Sequence, residues 1–204
     1  KQAIISDNQN FRYDEMVGLY NEWRGHIAAG GISPGHVVGL IGDFNPSTCA
    51  AFLALADGGS IVVPLTPTTY NLNSEFLDIA QVEFLIRPDT GTDIEQRNVV
   101  HDHPMIRSLT KASEAGLVLF TSGSTGDSKA AIHAIAPLLK KYNEPRQANR
   151  TLVFLLLDHI GGINTLFHVF ANGGTLVTAS DRSPKGVCQI IENAKVELLP
   201  VSPT

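Results

Sequence analysis

The sequence predicts an α/β fold, with a mostly parallel sheet flanked by helices. Three observations carry that expectation. Short apolar runs rich in Val, Ile and Leu recur along the 204 residues, at 37–41, 61–63, 84–86, 117–120, 153–157 and 175–177. Between most of them lie stretches whose apolar residues repeat at helical spacing. Gly, Pro and Asn punctuate the boundaries. Alternation of strand and helix favours parallel strands joined by crossover helices, and right-handed crossovers then set the topology.

The elements follow in order. Ile4-Ile5 and Phe11-Arg12 read as the arms of a short hairpin around the polar residues 6–10. Met16, Trp23 and Ile27 mark a helix that Gly30-Gly31 ends. Val37–Ile41 is a buried strand. Asn45 caps the next helix, with Pro46 in its first turn, and Gly58-Gly59 stops it. Ile61–Val63 is a strand closed by Pro64 and Pro67, Asn73–Ala80 a helix, and Phe84–Ile86 a strand. Residues 88–113 are polar and irregular. Leu117–Phe120 is a buried strand, and a helix runs around Ile135–Tyr142. Then come a strand at Val153–Leu157, a helix at Gly162–Phe170 and a strand at Thr175–Val177. Ser183-Pro184 opens one more helix, and Val196–Leu199 is the last strand.

Composition bounds the function. Hydrophobic residues make up 43% and charged residues 17%, which is ordinary for a globular protein. The length allows one sizeable domain, or a domain and part of another. A formal net charge of -5 gives no electrostatic case for nucleic acid or an anionic membrane. No run approaches the ~18 apolar residues that span a bilayer, and no signal peptide is visible. Cys49 and Cys188 read as buried free thiols, which favours a reducing, cytoplasmic compartment. The chain begins without Met and stops directly after an apolar run, so it reads as a fragment.

The most informative stretch is Leu117 to Lys129. A buried strand runs into Thr121, Ser122, Gly123, Ser124, Thr125 and Gly126, and Lys129 follows. Glycines let a backbone approach a ligand closely, successive N–H groups form a concave anion site, and a lysine adds a mobile positive charge. That is the composition a polyphosphate-gripping loop requires. The competing reading is a flexible Ser/Thr/Gly loop. It is not a Walker loop, because Asp127 and Ser128 separate the second glycine from the lysine.

These residues resemble the phosphate-loop motif of the adenylate-forming superfamily: acyl- and aryl-CoA synthetases, peptide-synthetase adenylation domains and luciferases. The usual form is Thr-Ser-Gly-Ser/Thr-Thr-Gly-x-Pro-Lys-Gly. The match holds through Gly126 and at Lys129, while Ser128 replaces proline and Ala130 replaces glycine. Upstream blocks agree in order. Phe11-Arg-Tyr-Asp-Glu-Met16 is similar to the Thr-Tyr-x-Glu-Leu element. Gly35-His-Val-Val-Gly-Leu-Ile41 resembles the Gly-Asp-x-Val-x-Leu strand, with His36 at the usual Asp. The block from Ala54 to Pro67 is similar to Lys-Ala-Gly-(Ala)-x-x-Val-Pro-Leu-x-Pro, with Asp57 and Gly58 where Lys and Ala are common.

A second constellation is Leu157-Asp-His-Ile-Gly-Gly162, between a strand and a helix. Ligands gather at carboxyl ends of strands in open α/β sheets. His159 offers an imidazole there, and Gly161 and Gly162 let a substrate approach the backbone. The competing reading is a plain strand-to-helix turn with Asp158 as cap. The resemblance favours a site: acyl-CoA synthetases carry a His-x-Gly-Gly-like segment lining or gating the acyl pocket. Asp158 is not cleanly aligned with the Asp that holds the substrate amine in amino-acid-activating relatives. Elsewhere, His101 and His103 lack a third metal ligand, His168 reads as core, and Lys140, Lys141, Arg146 and Arg150 as a solvated patch.

The resemblance implies the following. The chain is the N-terminal part of an AMP-binding domain, an incomplete acyl-CoA synthetase-like fold without the C-terminal lid; a division into two subdomains near 88–113 stays open. The full-length protein is an AMP-forming acid-thiol ligase. It activates a carboxylate as acyl-AMP and passes it to coenzyme A or a carrier-protein phosphopantetheine. Thr121–Gly126 hold the phosphates of ATP, and Lys129 is catalytic, neutralising the leaving pyrophosphate. His159, Gly161 and Gly162 bind the acid. Mg²⁺ is implied, with its ligand beyond residue 204, so no metal ligand is assigned in this chain, and the stretch alone does not complete adenylation. The alternative is a non-catalytic relative acting as a binding or scaffold module.

Overall fold

The computed structural model describes residues 1–7, 9–73, 75–100, 102–121 and 128–202, and within them the strands form two sheets. The chain opens with β1 (Gln2–Ser6) and β2 (Gln9–Arg12), an antiparallel hairpin, then α1 (Tyr13–Ala29). A long run builds the larger sheet: β3 (Val37–Ile41), α2 (Pro46–Asp57), β4 (Ile61–Leu65), α3 (Pro67–Leu72), α4 (Phe76–Ile79), β5 (Phe84–Ile86), β6 (Ile94–Gln96), α5 (Pro104–Ala112), β7 (Gly116–Thr121) and β8 (Lys129–Ala134). After α6 (Ile135–Leu139) and a 3₁₀ turn, the chain returns to the smaller sheet with β9 (Arg150–Leu152), α7 (Ile160–Ala171), β10 (Thr175–Val177) and α8 (Pro184–Ala194).

The larger sheet has the order β6-β5-β3-β4-β7-β8, parallel except for antiparallel β6 and β8 at its edges. The smaller sheet has the order β2-β1-β10-β9, parallel except for β2. Strand periodicity explains how the layers stack. Val38, Leu40 and Val62 face a cluster that also holds Trp23 of α1, Phe52 and Leu55 of α2, Leu166 of α7, and Ile4 and Leu176 of the smaller sheet. Val37, Ile41, Ile61 and Val63 face the other way, onto Phe76, Leu77 and Ile106. Leu152 and Val177 pack against Val187, Ile190 and Ile191 of α8. The result is five layers, helix-sheet-helix-sheet-helix. Central α2 is apolar nearly all round, as a helix covered on both faces must be.

Local chemistry sets the boundaries. The Asn45 side chain accepts from the Thr48 N–H at 2.9 Å, with Pro46 in the first turn. Ser183 caps α8 in the same way, accepting from Gly186 N–H at 3.1 Å. Between the sheets, Arg182 after β10 pairs with Asp43 after β3 at 2.7 Å.

Several expectations change. The helix expected at 73–80 is two short helices. Thr66 caps a start at Pro67, and Asn73, at φ -134 and ψ 65, breaks the first before α4 begins. The strand at 61–63 continues through Pro64. The pairing of β4 with β7 ends at Val62, so the missing N–H of Pro64 costs no ladder bond there. Residues 88–113 hold β6 and α5, the latter opened by Pro104 with Ile106 buried. The strand expected at 153–157 lies earlier, at Arg150–Leu152. Beyond it the Val153 N–H still reaches Val177 O, at 2.8 Å, and of the residues that follow in the turn toward α7 Leu157 is buried while Phe154 is exposed. The last strand is reduced to one bridge, Thr151 with Leu198. Cys49 is buried as expected, but Cys188 on α8 is exposed; both thiols are free.

Candidate functional site

Strands β4 and β7 are parallel neighbours, so their carboxyl ends emerge on the same edge of the larger sheet. There Pro64, Leu65, Phe120 and Thr121 border a cleft of about 210 Å³. Thr69, Asn73 and Phe76 supply a second wall, Ser128 a third, and Asp158 and His159 the last. The cleft thus takes residues from the larger sheet and from the segment that follows β9 of the smaller one. Its place at strand carboxyl ends is where open α/β sheets bind ligands.

Each wall has a local cause. Phe76 of α4 stacks on Phe120, with ring centroids 3.8 Å apart and planes 7° from parallel, which fixes the strand one residue before Thr121. Thr121 lies opposite Lys129 across the β7–β8 ladder, and its hydroxyl donates to the Lys129 carbonyl at 3.4 Å. Ser122, Gly123, Ser124, Thr125, Gly126 and Asp127 lie outside the described residues, as does His101. The strand–loop–lysine order is therefore a β-hairpin whose two anchored ends are Thr121 and Lys129.

Asp158 is the polar centre of the other wall. Its Oδ2 accepts the Thr69 hydroxyl at 2.6 Å and the Thr66 N–H at 3.3 Å, while Oδ1 is buried without a hydrogen-bond partner. His159, with its side chain 60% exposed, places Nε2 3.8 Å from Oδ1. His159 is also the cap residue of α7. The two glycines that follow are filled by the chain itself. A Cβ at Gly161 meets Leu155 Cδ1 at 2.4 Å, and one at Gly162 meets the Leu156 carbonyl oxygen at 2.0 Å.

Thr121, Ser128, Asp158 and His159, noted in two separate stretches of sequence, thus share one cleft. Lys129, Gly161 and Gly162 are not among its lining residues. Thr69, Asn73 and Phe76 were not singled out from the sequence. A helix starting at Pro67 under a Thr66 cap was the available signal, since Thr66, Thr69 and Asn73 then fall on one face. Among the described residues, no group of three His, Cys, Asp or Glu is placed to hold a metal ion, and no helix is long and apolar enough to cross a membrane.

Comparison with known proteins finds relatives in sequence and in fold. Nonribosomal peptide synthetase 8 of Aspergillus fumigatus is 26% identical over 204 residues, covering 88% of this chain and 2% of that protein. The N-terminal subdomain of Klebsiella oxytoca NpsA, solved with 3-hydroxyanthranilyl-AMSN, superposes with a TM-score of 0.75 at 21% identity, covering 98% of this chain and 56% of that one. The o-succinylbenzoate CoA synthetase MenE of Bacillus subtilis, in complex with its acyl-adenylate OSB-AMP, superposes with a TM-score of 0.72 at 19% identity, covering 97% and 57%. The chain spans at most 22% of the length of the curated relatives it matches. The structural likeness establishes the shared α/β fold, and the family profile settles the membership: over residues 71–204 it matches the AMP-binding enzyme family, and the chain belongs to that family.

Proposed function

We propose that this chain is the N-terminal portion of an enzyme that activates a carboxylic acid with ATP as an acyl-adenylate and then passes the acyl group to a thiol. The observation that carries the reading is the convergence of Thr121 and Ser128 with Asp158 and His159 on one cleft at the carboxyl ends of β4 and β7. ATP supplies the adenylyl group and a pyrophosphate leaving group. The acid's carboxylate oxygen bonds to the α-phosphorus as the bond to pyrophosphate breaks. Such a displacement needs positioning and charge neutralisation rather than covalent help from the protein.

Thr121, Ser122, Gly123, Ser124, Thr125 and Gly126 hold the β- and γ-phosphates through hydroxyls and backbone N–H groups. Lys129, one strand position from the hairpin loop, neutralises charge building on the departing pyrophosphate or fixes that loop. His159 borders the acid, and Gly161 and Gly162 act by letting the start of α7 pack tightly beneath it. Similarity to peptide synthetases favours a carrier-bound phosphopantetheine thiol as acceptor over free coenzyme A.

The test is acid-dependent exchange of labelled pyrophosphate into ATP by the intact gene product. Lys129→Ala lowers kcat/KM by about a hundredfold if the ammonium stabilises the developing charge. Exchange unchanged in Lys129→Ala removes that role, and no exchange with any carboxylic acid favours the scaffold reading.

A further inference from the structure

Asp158 has 7% of its side chain exposed, yet among the described residues it faces no lysine or arginine. A buried carboxylate is tolerated when its oxygens are hydrogen-bonded. Oδ2 meets that condition through Thr66 and Thr69. Oδ1 does not, and it is shielded from solvent without a partner. The imidazole of His159 is the donor within reach, with Nε2 at 3.8 Å, too long for a hydrogen bond but closed by a small ring movement. His159 itself lines the cleft beside Thr121.

We propose that Thr69 and Asp158 are positioning residues for His159. The Thr69 hydroxyl and Thr66 N–H lock one carboxylate oxygen, and the other takes the imidazole N–H and holds the ring at the acid end of the cleft. A hydrogen bond at one ring nitrogen fixes both the orientation and the tautomer of an imidazole. The device links the corner after β4 to the segment before α7, so the position of the ring depends on how the two sheets are docked. This inference rests on the acid-activating reading above and assigns Thr69 and Asp158 within that site.

The experiment uses the intact gene product in pyrophosphate exchange, with a panel of amino acids, hydroxybenzoates and short fatty acids; the acid giving the fastest exchange serves for kinetics. Thr69→Val keeps the shape and removes the hydroxyl. It lowers kcat/KM for the acid about tenfold, as expected for losing a hydrogen bond to a charged group, with the KM for ATP changed by less than about twofold. Thr69→Ser restores most of the loss. In a His159→Ala background, Thr69→Val has no further effect on the acid, because the residue it acts through is gone. Wild-type acid kinetics in Thr69→Val overturn the proposal. So does an equal loss toward acid and ATP that persists in the His159→Ala background, which marks a structural staple only. Absence of exchange by the wild type with every acid overturns the functional reading itself, and is seen before any variant is made.

Discussion

Gly161 and Gly162 are adjacent residues in the first turn of α7, yet the structure predicts opposite responses to the same added methyl group. Replacing glycine by alanine favours a helix by at most about 1 kcal/mol, and less in a first turn. Against that gain stands the contact each Cβ makes. At Gly161 the obstacle is Leu155 Cδ1 at 2.4 Å, the far end of a flexible side chain that can rotate away. At Gly162 it is the backbone carbonyl of Leu156, with its oxygen at 2.0 Å and its carbon at 2.7 Å, and Leu155 O at 3.0 Å. That carbonyl accepts the His159 N–H at 3.2 Å, so it cannot retreat without disturbing the turn that carries His159. Overpacking against fixed atoms costs about 1–3 kcal/mol. For a chain of this size 1 kcal/mol moves the melting temperature by about 2–4 °C. Gly161→Ala should therefore melt within about 2 °C of wild type, while Gly162→Ala should melt several degrees lower. Thermal unfolding by circular dichroism reads both. Equal melting temperatures for the two variants, or a Gly162→Ala protein as stable as wild type, would refute the argument that the Leu156 carbonyl fixes this position.

Other expectations are quick to check. Burial pushes the Cys49 thiol above its ordinary range, whereas Cys188 is exposed, so iodoacetamide should label Cys188 in the native protein and Cys49 only after unfolding; mass spectrometry showing native Cys49 labelled first would contradict the buried placement of α2. Burial pushes the Tyr13 and Tyr142 phenols up to about 12. Their folded values lie above the unfolded value of about 10, so the folded state holds protons that the unfolded state releases, and stability should be intact below about pH 10 and fall as pH rises toward 12. Tyr13→Phe and Tyr142→Phe should flatten that decline in denaturant titrations at pH 9 to 11.5, and an unchanged slope in both would remove burial of these phenols as its cause.

Much of the fold was legible because its signals are local. Asn45 before Pro46 and Ser183 before Pro184 specify helix starts within four residues, and both caps form as the sequence implies. Val37–Ile41 and Phe84–Ile86 are short, apolar and β-branched or aromatic, and both strands begin and end where expected. Where signals conflict, the reading slipped. An apolar run does not say that residues pair, so Val153–Leu157 reads as a strand although the neighbouring β10 ends at Val177. Pro64 reads as a stop in the sequence, yet it is harmless in the strand because the pairing of β4 with β7 has already ended at Val62.

The sequence by itself determined the alternation of elements, the hydroxyl- and glycine-rich stretch between the strand ending at Phe120 and Lys129, and the turn carrying His159. Periodicity, capping and turn chemistry act over a few residues and survive in one dimension. Only the tertiary structure decided that these two turns share a cleft, that Phe76 braces Phe120, and that Thr69 meets Asp158 across 89 positions of chain. Those meetings depend on which strands become neighbours and how two sheets dock over α1, α2 and α7. That choice is made by burying apolar surface from the whole chain at once, an interaction without direction or sequence range, so no short motif records it.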